Sequence, residues 1–299
     1  MDNKTFGFDL IKVMNTEKQF GSNIYVFEHK RTGLKVFYCF PTNYVMRMKV
    51  SFYTPQLTDK GITHILEHLL CHTRSRYKEK WYMPSFSNGK TDFNAATTDD
   101  YTFYELSSAS ITEFRTAAKS LLSSIFREKF DFTDEEIAYE AGYIKDYDTV
   151  DGVIYNELKR GMEDPESMAD EYVNMLVFAD SHYQHPPGGL VEGVVRANRE
   201  ELENYFNYYY HPSNCKIFVC GGFDIFKFLE YLDKNICKTS EDGENQIEKR
   251  ECYVGDYTLC RESPLPDFTW QMPCGNQCAG CAGSVLRNME NYKNCHRRN

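Results

Sequence analysis

The chain has 299 residues, 34 Lys and Arg against 44 Asp and Glu, and a formal charge of −10, and 41% of its residues are hydrophobic. This composition excludes a disordered or collagen-like chain and predicts a sizeable apolar core. The acidic balance argues against a nucleic-acid partner, because phosphate contacts need clustered Lys and Arg. No run of about 18 apolar residues occurs, and the segment Met1–Lys4 lacks a signal or transit pattern. We therefore expect a cytoplasmic protein with no membrane partner.

The first third of the sequence has the pattern of β-structure. Runs of β-branched and aromatic residues occupy positions 23–29, 34–40, 48–53, 90–97 and 101–108. The first two runs are joined through Gly33 and predict a hairpin, and a further tight turn is expected between the last two.

Helical patterns fill most of the remaining sequence. Apolar residues recur with a period of 3.6 at about 58–73, at 114–126, after the capping sequence that begins at Thr133, at 151–178 with a break near Pro165, from about 198, and at 223–236. A single strand is predicted at 216–220. This order predicts an α+β fold with two layers, an antiparallel sheet packed with helices.

The 11 cysteines are unevenly distributed, and seven of them lie from Cys237 onward. We therefore divide the chain into a domain over 1–236 and a Cys-rich tail over 237–299. Within the tail, Cys274, Cys278 and Cys281 have a spacing that resembles the iron–sulfur cluster loop of radical S-adenosylmethionine enzymes. Too few residues follow to build the barrel of such an enzyme. An unstructured tail and a structural zinc site remain open beside a cluster.

The segment His64-Ile-Leu-Glu67-His68 is the strongest functional motif. On a helix, positions i and i+4 share one face, so both imidazoles can reach one ion. Two His nitrogens suit Zn²⁺, which at catalytic sites takes three protein ligands and leaves a position for water. Glu67 is then placed to take a proton from that water. Histidines four apart often bind nothing, but the chain has only eight His, and this pair brackets a Glu in the inverted zincin order.

Further motifs resemble the insulinase/pitrilysin zinc metallopeptidases, and among them the presequence-protease branch. The resemblance covers about residues 8 to 235 and includes, besides HILEH, the segments FYTP at 52–55, KGI at 60–62, FNAAT at 93–97, VIYNE at 153–157, GGL at 188–190 and YYHPSN at 209–214.

The resemblance implies a site with one Zn²⁺ per chain. His64, His68 and Glu157 would be its ligands, and Asn94 and Ala95 would lie on a strand that binds the extended peptide substrate. Spacing alone does not select Glu157, because other glutamates lie in the same region: Glu135, Glu136, Glu140, Glu163 and Glu166.

Other potentially reactive side chains receive structural interpretations. His72 is expected to be a supporting or structural residue, because two His and Glu157 complete the usual protein ligand set. His182 and His185 lie beside a Pro-Gly break and are expected to be solvated. Cys71 is expected to be a packed thiol.

The resemblance also implies an incomplete enzyme, because such peptidases are clamshells of two related halves and this chain matches only the N-terminal zinc-bearing half. We expect a zinc-dependent endopeptidase that hydrolyses extended peptides or unfolded segments, together with a second half or subunit. The alternatives are a non-catalytic peptide-binding subunit of a two-chain peptidase and a peptide-maturation factor. A degraded zinc motif would favour a non-catalytic subunit, but all four expected residues are present.

Overall fold

A seven-stranded sheet organises the computed structural model of the chain. The structure describes residues 5–40, 45–74, 80–82, 91–146, 149–179 and 181–238. The predicted tail site of Cys274, Cys278 and Cys281 lies outside these residues.

The main sheet has the strand order β1-β2-β3-β11-β4-β8-β7, and two short hairpins, β5 with β6 and β9 with β10, lie apart from it. The strands are β1 (Phe8–Met14), β2 (Ile24–His29), β3 (Lys35–Cys39), β4 (Met46–Tyr53), β5 (His72–Arg74), β6 (Lys80–Tyr82), β7 (Thr91–Thr97), β8 (Tyr101–Ser108), β9 (Tyr143–Asp146), β10 (Thr149–Asp151) and β11 (Cys215–Cys220).

The helices of the described residues are α1 (Glu17–Phe20), α2 (Ile62–Cys71), α3 (Ile111–Ile125), α4 (Asp134–Ala141), α5 (Val153–Gly161), α6 (Pro165–Val177), α7 (Val191–Val194), α8 (Arg199–Tyr209) and α9 (Ile225–Asn235). Helix α3 packs against β4 and β8 of the main sheet, and α2 packs against β7. The predicted capping box at the start of α4 is present, because Thr133 and Glu136 each bond the other's backbone N–H.

Helix α2 is central to the core and contacts β7, α3, α4 and α8. Ile65, Leu66 and Leu70 are fully buried on it, and Tyr104 and Leu106 of β8 are fully buried in the same cluster. These side chains hold the helix rigidly beside the β7 edge of the sheet, which is a suitable support for a functional site.

The two faces of the main sheet differ in how far their side chains are exposed to solvent. Along β4 and β11, buried and more exposed side chains alternate, so one face packs on the helices. The opposite face is open over β11, where Phe218 is 44% exposed and stacks on Phe37 with ring centroids 4.6 Å apart.

The predicted α+β class is confirmed, as is the hairpin, which forms the antiparallel pair β2 and β3. The main sheet is mostly antiparallel, and β11 with β3 is a parallel pair within it. A long connection that contains both helices and strands separates β3 from β11, and a long connection permits parallel pairing. Helix α2 begins later than predicted because Gly61, with φ of 60°, is outside the helical region.

Strand β1 was not expected from the sequence. It is an edge strand whose residues Leu10, Ile11 and Val13 are about half exposed, so it lacks the alternation that identifies a half-buried strand. Among the residues that the structure describes, no helix has the length and apolar character needed to cross a membrane.

Candidate metal centre

Helices α2 and α5 bring three possible ligands together. Nε2 of His64 and Nε2 of His68 each lie 3.7 Å from Oε2 of Glu157. One ligand atom from each residue lies within 4.8 Å of the other two. One helical turn separates the two histidines, so their rings meet edge to face with centroids 4.7 Å apart.

The donor set and its spacing fit a small divalent cation. Ligand bonds of about 2.0–2.2 Å in a tetrahedral arrangement separate the donor atoms by roughly 3.4 Å, slightly less than the two 3.7 Å distances observed. The imidazoles are 18% and 15% exposed, whereas Glu157 is 44% exposed. The centre is therefore closed on the side of α2 and open to solvent on the side of Glu157.

Glu140 of α4 supports His68 from behind. Its Oε2 accepts a hydrogen bond from Nδ1 of His68 at 3.0 Å, and the Glu140 side chain is only 6% exposed. Burial alone would lower the pKa of His68, but the hydrogen bond and the charge of Glu140 outweigh it, so the pKa is raised. With the proton on Nδ1, the lone pair of Nε2 points to the other ligands.

His64 has no such carboxylate. Burial, and then the neighbouring His68, lower the pKa of His64 to about 4, while the backbone of Gly188 acts in the opposite direction. Its Nδ1 is buried and has no hydrogen bond of ordinary geometry. The imidazole is therefore neutral at pH 7, which is the form that binds metal ions.

Glu67 is buried next to the two histidines. Its Oε2 accepts a hydrogen bond from the hydroxyl of Thr97 at 2.7 Å. The Thr97 hydroxyl is also 3.3 Å from that of Thr102, which in turn is 2.9 Å from that of Thr54. Burial raises the pKa of Glu67, and the Thr97 hydrogen bond opposes this rise. A buried carboxyl with a raised pKa is suited to accept and return a proton near neutral pH.

Strand β7 lies directly beside α2 and forms one edge of the main sheet in the described part of the chain. Thr97, which bonds Glu67, is its last residue. Asn94 is exposed, whereas Ala95 is half-buried and packs against the core. The Ala95 side chain is thus turned to the interior.

The sequence does not single out Glu140 among the candidate glutamates, because its contact with His68 depends on how α4 packs against α2.

The prediction that His182 is solvated is wrong. Its side chain is 11% exposed, and its Nε2 lies 2.8 Å from Oδ1 of Asp100, which also accepts a bond from the Tyr183 hydroxyl at 3.0 Å. Asp100 is distant in sequence, so local pattern could not reveal this contact.

Three further side chains lie outside the candidate ligand set. His185 is half-buried rather than solvated, and burial lowers its pKa. Cys71 is buried as expected, and burial raises the pKa of its thiol well above the usual value. His72 begins β5, and its supporting role remains a prediction.

The sequence of the chain is similar to those of known peptidases. Residues 54–152 match the insulinase family of peptidases, M16, and residues 196–255 match the M16 inactive domain. The mitochondrial presequence protease of Drosophila melanogaster is 28% identical over 242 residues, which cover 78% of this chain and 23% of that protein.

Solved structures show the same fold. Pitrilysin superposes with a TM-score of 0.60 over 77% of this chain and 24% of its own, at 11% identity. A protease from Helicobacter pylori superposes with a TM-score of 0.57 over 71% of this chain and 50% of its own, at 17% identity. The chain spans about a quarter of the length of the curated relatives it matches.

Proposed function

Because the chain is homologous to the M16 peptidases, we propose that it is the zinc-binding half of an endopeptidase that hydrolyses extended peptides or unfolded segments. The observation that carries the proposal is the meeting of His64, His68 and Glu157 beside the buried Glu67. This set contains the three protein ligands and the acid–base group that peptide hydrolysis at a zinc site requires.

The chain's residues have distinct parts in this chemistry. His64, His68 and Glu157 would hold the ion, which when bound supplies polarisation of the scissile carbonyl and lowers the pKa of water. Glu67 would take the proton of the attacking water and deliver it to the leaving amine. Thr97 holds one oxygen of Glu67, so the other oxygen is left to face the substrate.

The substrate would be positioned by the edge of the sheet. An extended peptide can add to β7 through backbone hydrogen bonds, which give affinity with little dependence on its sequence. Asn94 and Ala95 would contribute to this edge, Ala95 through its backbone. Since Thr97 ends the same strand and bonds Glu67, the peptide would run past the acid–base group.

The test is zinc content and digestion of unstructured peptides by the wild-type chain and by Glu67→Gln, each alone and with any co-purifying partner. We expect Glu67→Gln to retain zinc and to lose at least about a thousandfold in turnover, as expected when an acid–base group is removed. Glu163→Gln, which changes an exposed glutamate between α5 and α6, is the matched control and should keep full activity. If the wild-type protein digests the peptides and Glu67→Gln digests them equally fast, the assignment is refuted.

We further propose that a second peptidase-like half completes the site. Glu157 is 44% exposed on the open side of the centre, and the chain covers 50% of the H. pylori protease. A facing half would exclude water and fix the peptide, which accounts for much of enzymatic rate enhancement. Full activity of the isolated monomeric chain would contradict the need for this half. Peptide binding without cleavage, even with the second half added, would indicate the non-catalytic alternative.

A further inference from the structure

Two cysteines lie side by side on the face of the main sheet that is not packed on the core. Cys39 ends β3 and Cys220 ends β11, and the two residues are direct partners in the parallel pairing of these strands. Both belong to the more exposed of the two alternating sets in their strands, so their side chains project from the same open face. We infer that Cys39 and Cys220 are a redox-responsive pair that a peroxide converts into a reversible disulfide.

The backbone geometry permits this bond. Neighbouring strands lie about 4.7–4.9 Å apart, and disulfides join residues whose Cα atoms are about 4.4–6.8 Å apart. Partner residues on adjacent parallel strands fall within that range. The two residues are direct partners and their side chains share one face of the sheet, so bond formation requires rotation of side chains rather than movement of either strand.

Access and charge distinguish this pair from the other cysteines of the described part. Cys39 and Cys220 are partly exposed and line an open depression, whereas Cys71, Cys215 and Cys237 are buried. Arg47 of β4 is the direct partner of Cys220 on its other side, and it lines the same depression. Burial and the neighbouring Cys39 raise the pKa of Cys220, and Arg47 acts in the opposite direction. Arg47 thus favours the thiolate, which is the nucleophile in thiol oxidation.

The proposed reaction is balanced with a peroxide as the oxidant. One thiolate attacks an oxygen of hydrogen peroxide, the O–O bond breaks, and a sulfenic acid and one water form after proton transfer. The second thiol attacks that sulfur, the S–O bond breaks, and a second water leaves as the S–S bond forms. Two thiols and one peroxide thus give one disulfide and two waters, and an added dithiol reverses the change.

The experiment is peptide mass spectrometry of the full chain after treatment with hydrogen peroxide and alkylation of the remaining thiols. We expect a cross-linked peptide pair joining Cys39 to Cys220, lighter by two hydrogens than the reduced pair and lost after dithiothreitol. Cys215 is an internal control on the same strand, and in the folded protein it should remain unoxidised because it is buried.

Two variants test the role of Arg47 and the possibility that tail thiols take part in the oxidation. Arg47→Gln should slow formation of the pair several-fold, since it removes the adjacent cation. A full-length variant with serine at the six tail cysteines that follow Cys237 should still form the bond at the wild-type rate. The changed residues are Cys252, Cys260, Cys274, Cys278, Cys281 and Cys295. If Cys39 and Cys220 are alkylated separately after peroxide, or are recovered only as mixed disulfides with tail residues, the proposal is wrong.

Discussion

Replacing Glu140 with Gln tests whether the buried carboxylate behind His68 tunes the proposed metal centre. Glu140 and His68 are 6% and 15% exposed, and the bond between them is 3.0 Å long. The Gln side chain keeps an acceptor for the Nδ1 proton but removes the negative charge. Loss of such a supporting partner typically weakens metal binding 10- to 100-fold. We expect the lower end of that range for Gln, about 1.4 kcal/mol, and the upper end for Glu140→Ala, which also leaves the Nδ1 proton without its acceptor.

The assay is competition for zinc between the protein and a coloured chelator, with far-UV circular dichroism to verify folding. Glu135→Gln is the matched control, because it makes the same substitution at an exposed position of the same helix. Its zinc affinity should equal that of the wild type. If Glu140→Gln and Glu135→Gln bind zinc equally well, then Glu140 does not tune the site, and the interpretation of the His68 contact is wrong.

Two further predictions concern the segments that surround the site. Tyr183→Phe removes a hydroxyl that donates to Asp100 and should lower the free energy of unfolding by about 1–2 kcal/mol. The free energy is measured by unfolding in guanidinium chloride. Tyr172 is 56% exposed on α6, so the control Tyr172→Phe should change the free energy of unfolding little. Gly61→Ala places a Cβ against the backbone carbonyl oxygen of Gly188 at φ of 60° and should cost more than about 2 kcal/mol. Gly161→Ala, whose Cβ meets nothing within 4 Å, should be neutral or stabilising. An equal effect of either pair of variants would refute the corresponding contact.

The sequence alone predicts an element or a site residue wherever the interactions that form it are between residues close in the chain. The i and i+4 spacing of His64 and His68 requires only that α2 be helical, and the apolar period of the same segment predicts that helix. The hairpin of β2 and β3 and the capping box at Thr133 depend likewise on residues a few positions apart. Glu157 differs, because only the resemblance to known peptidases selected it among several nearby glutamates, and the structure then places it beside the histidines.

What could not be predicted depends on the order in which strands and helices assemble. Strand β11 enters the sheet between β3 and β4, far from either in sequence, and no local pattern indicates that position. The contact of Cys39 with Cys220 results from this insertion, as does the placement of Arg47 beside them. In the same way, Glu140 reaches His68 only because α4 packs on α2. Residue type and spacing thus identified His64 and His68, and the resemblance to known peptidases added Glu157. The side chains that support or modify these residues are placed by long-range packing, which local sequence patterns do not reveal.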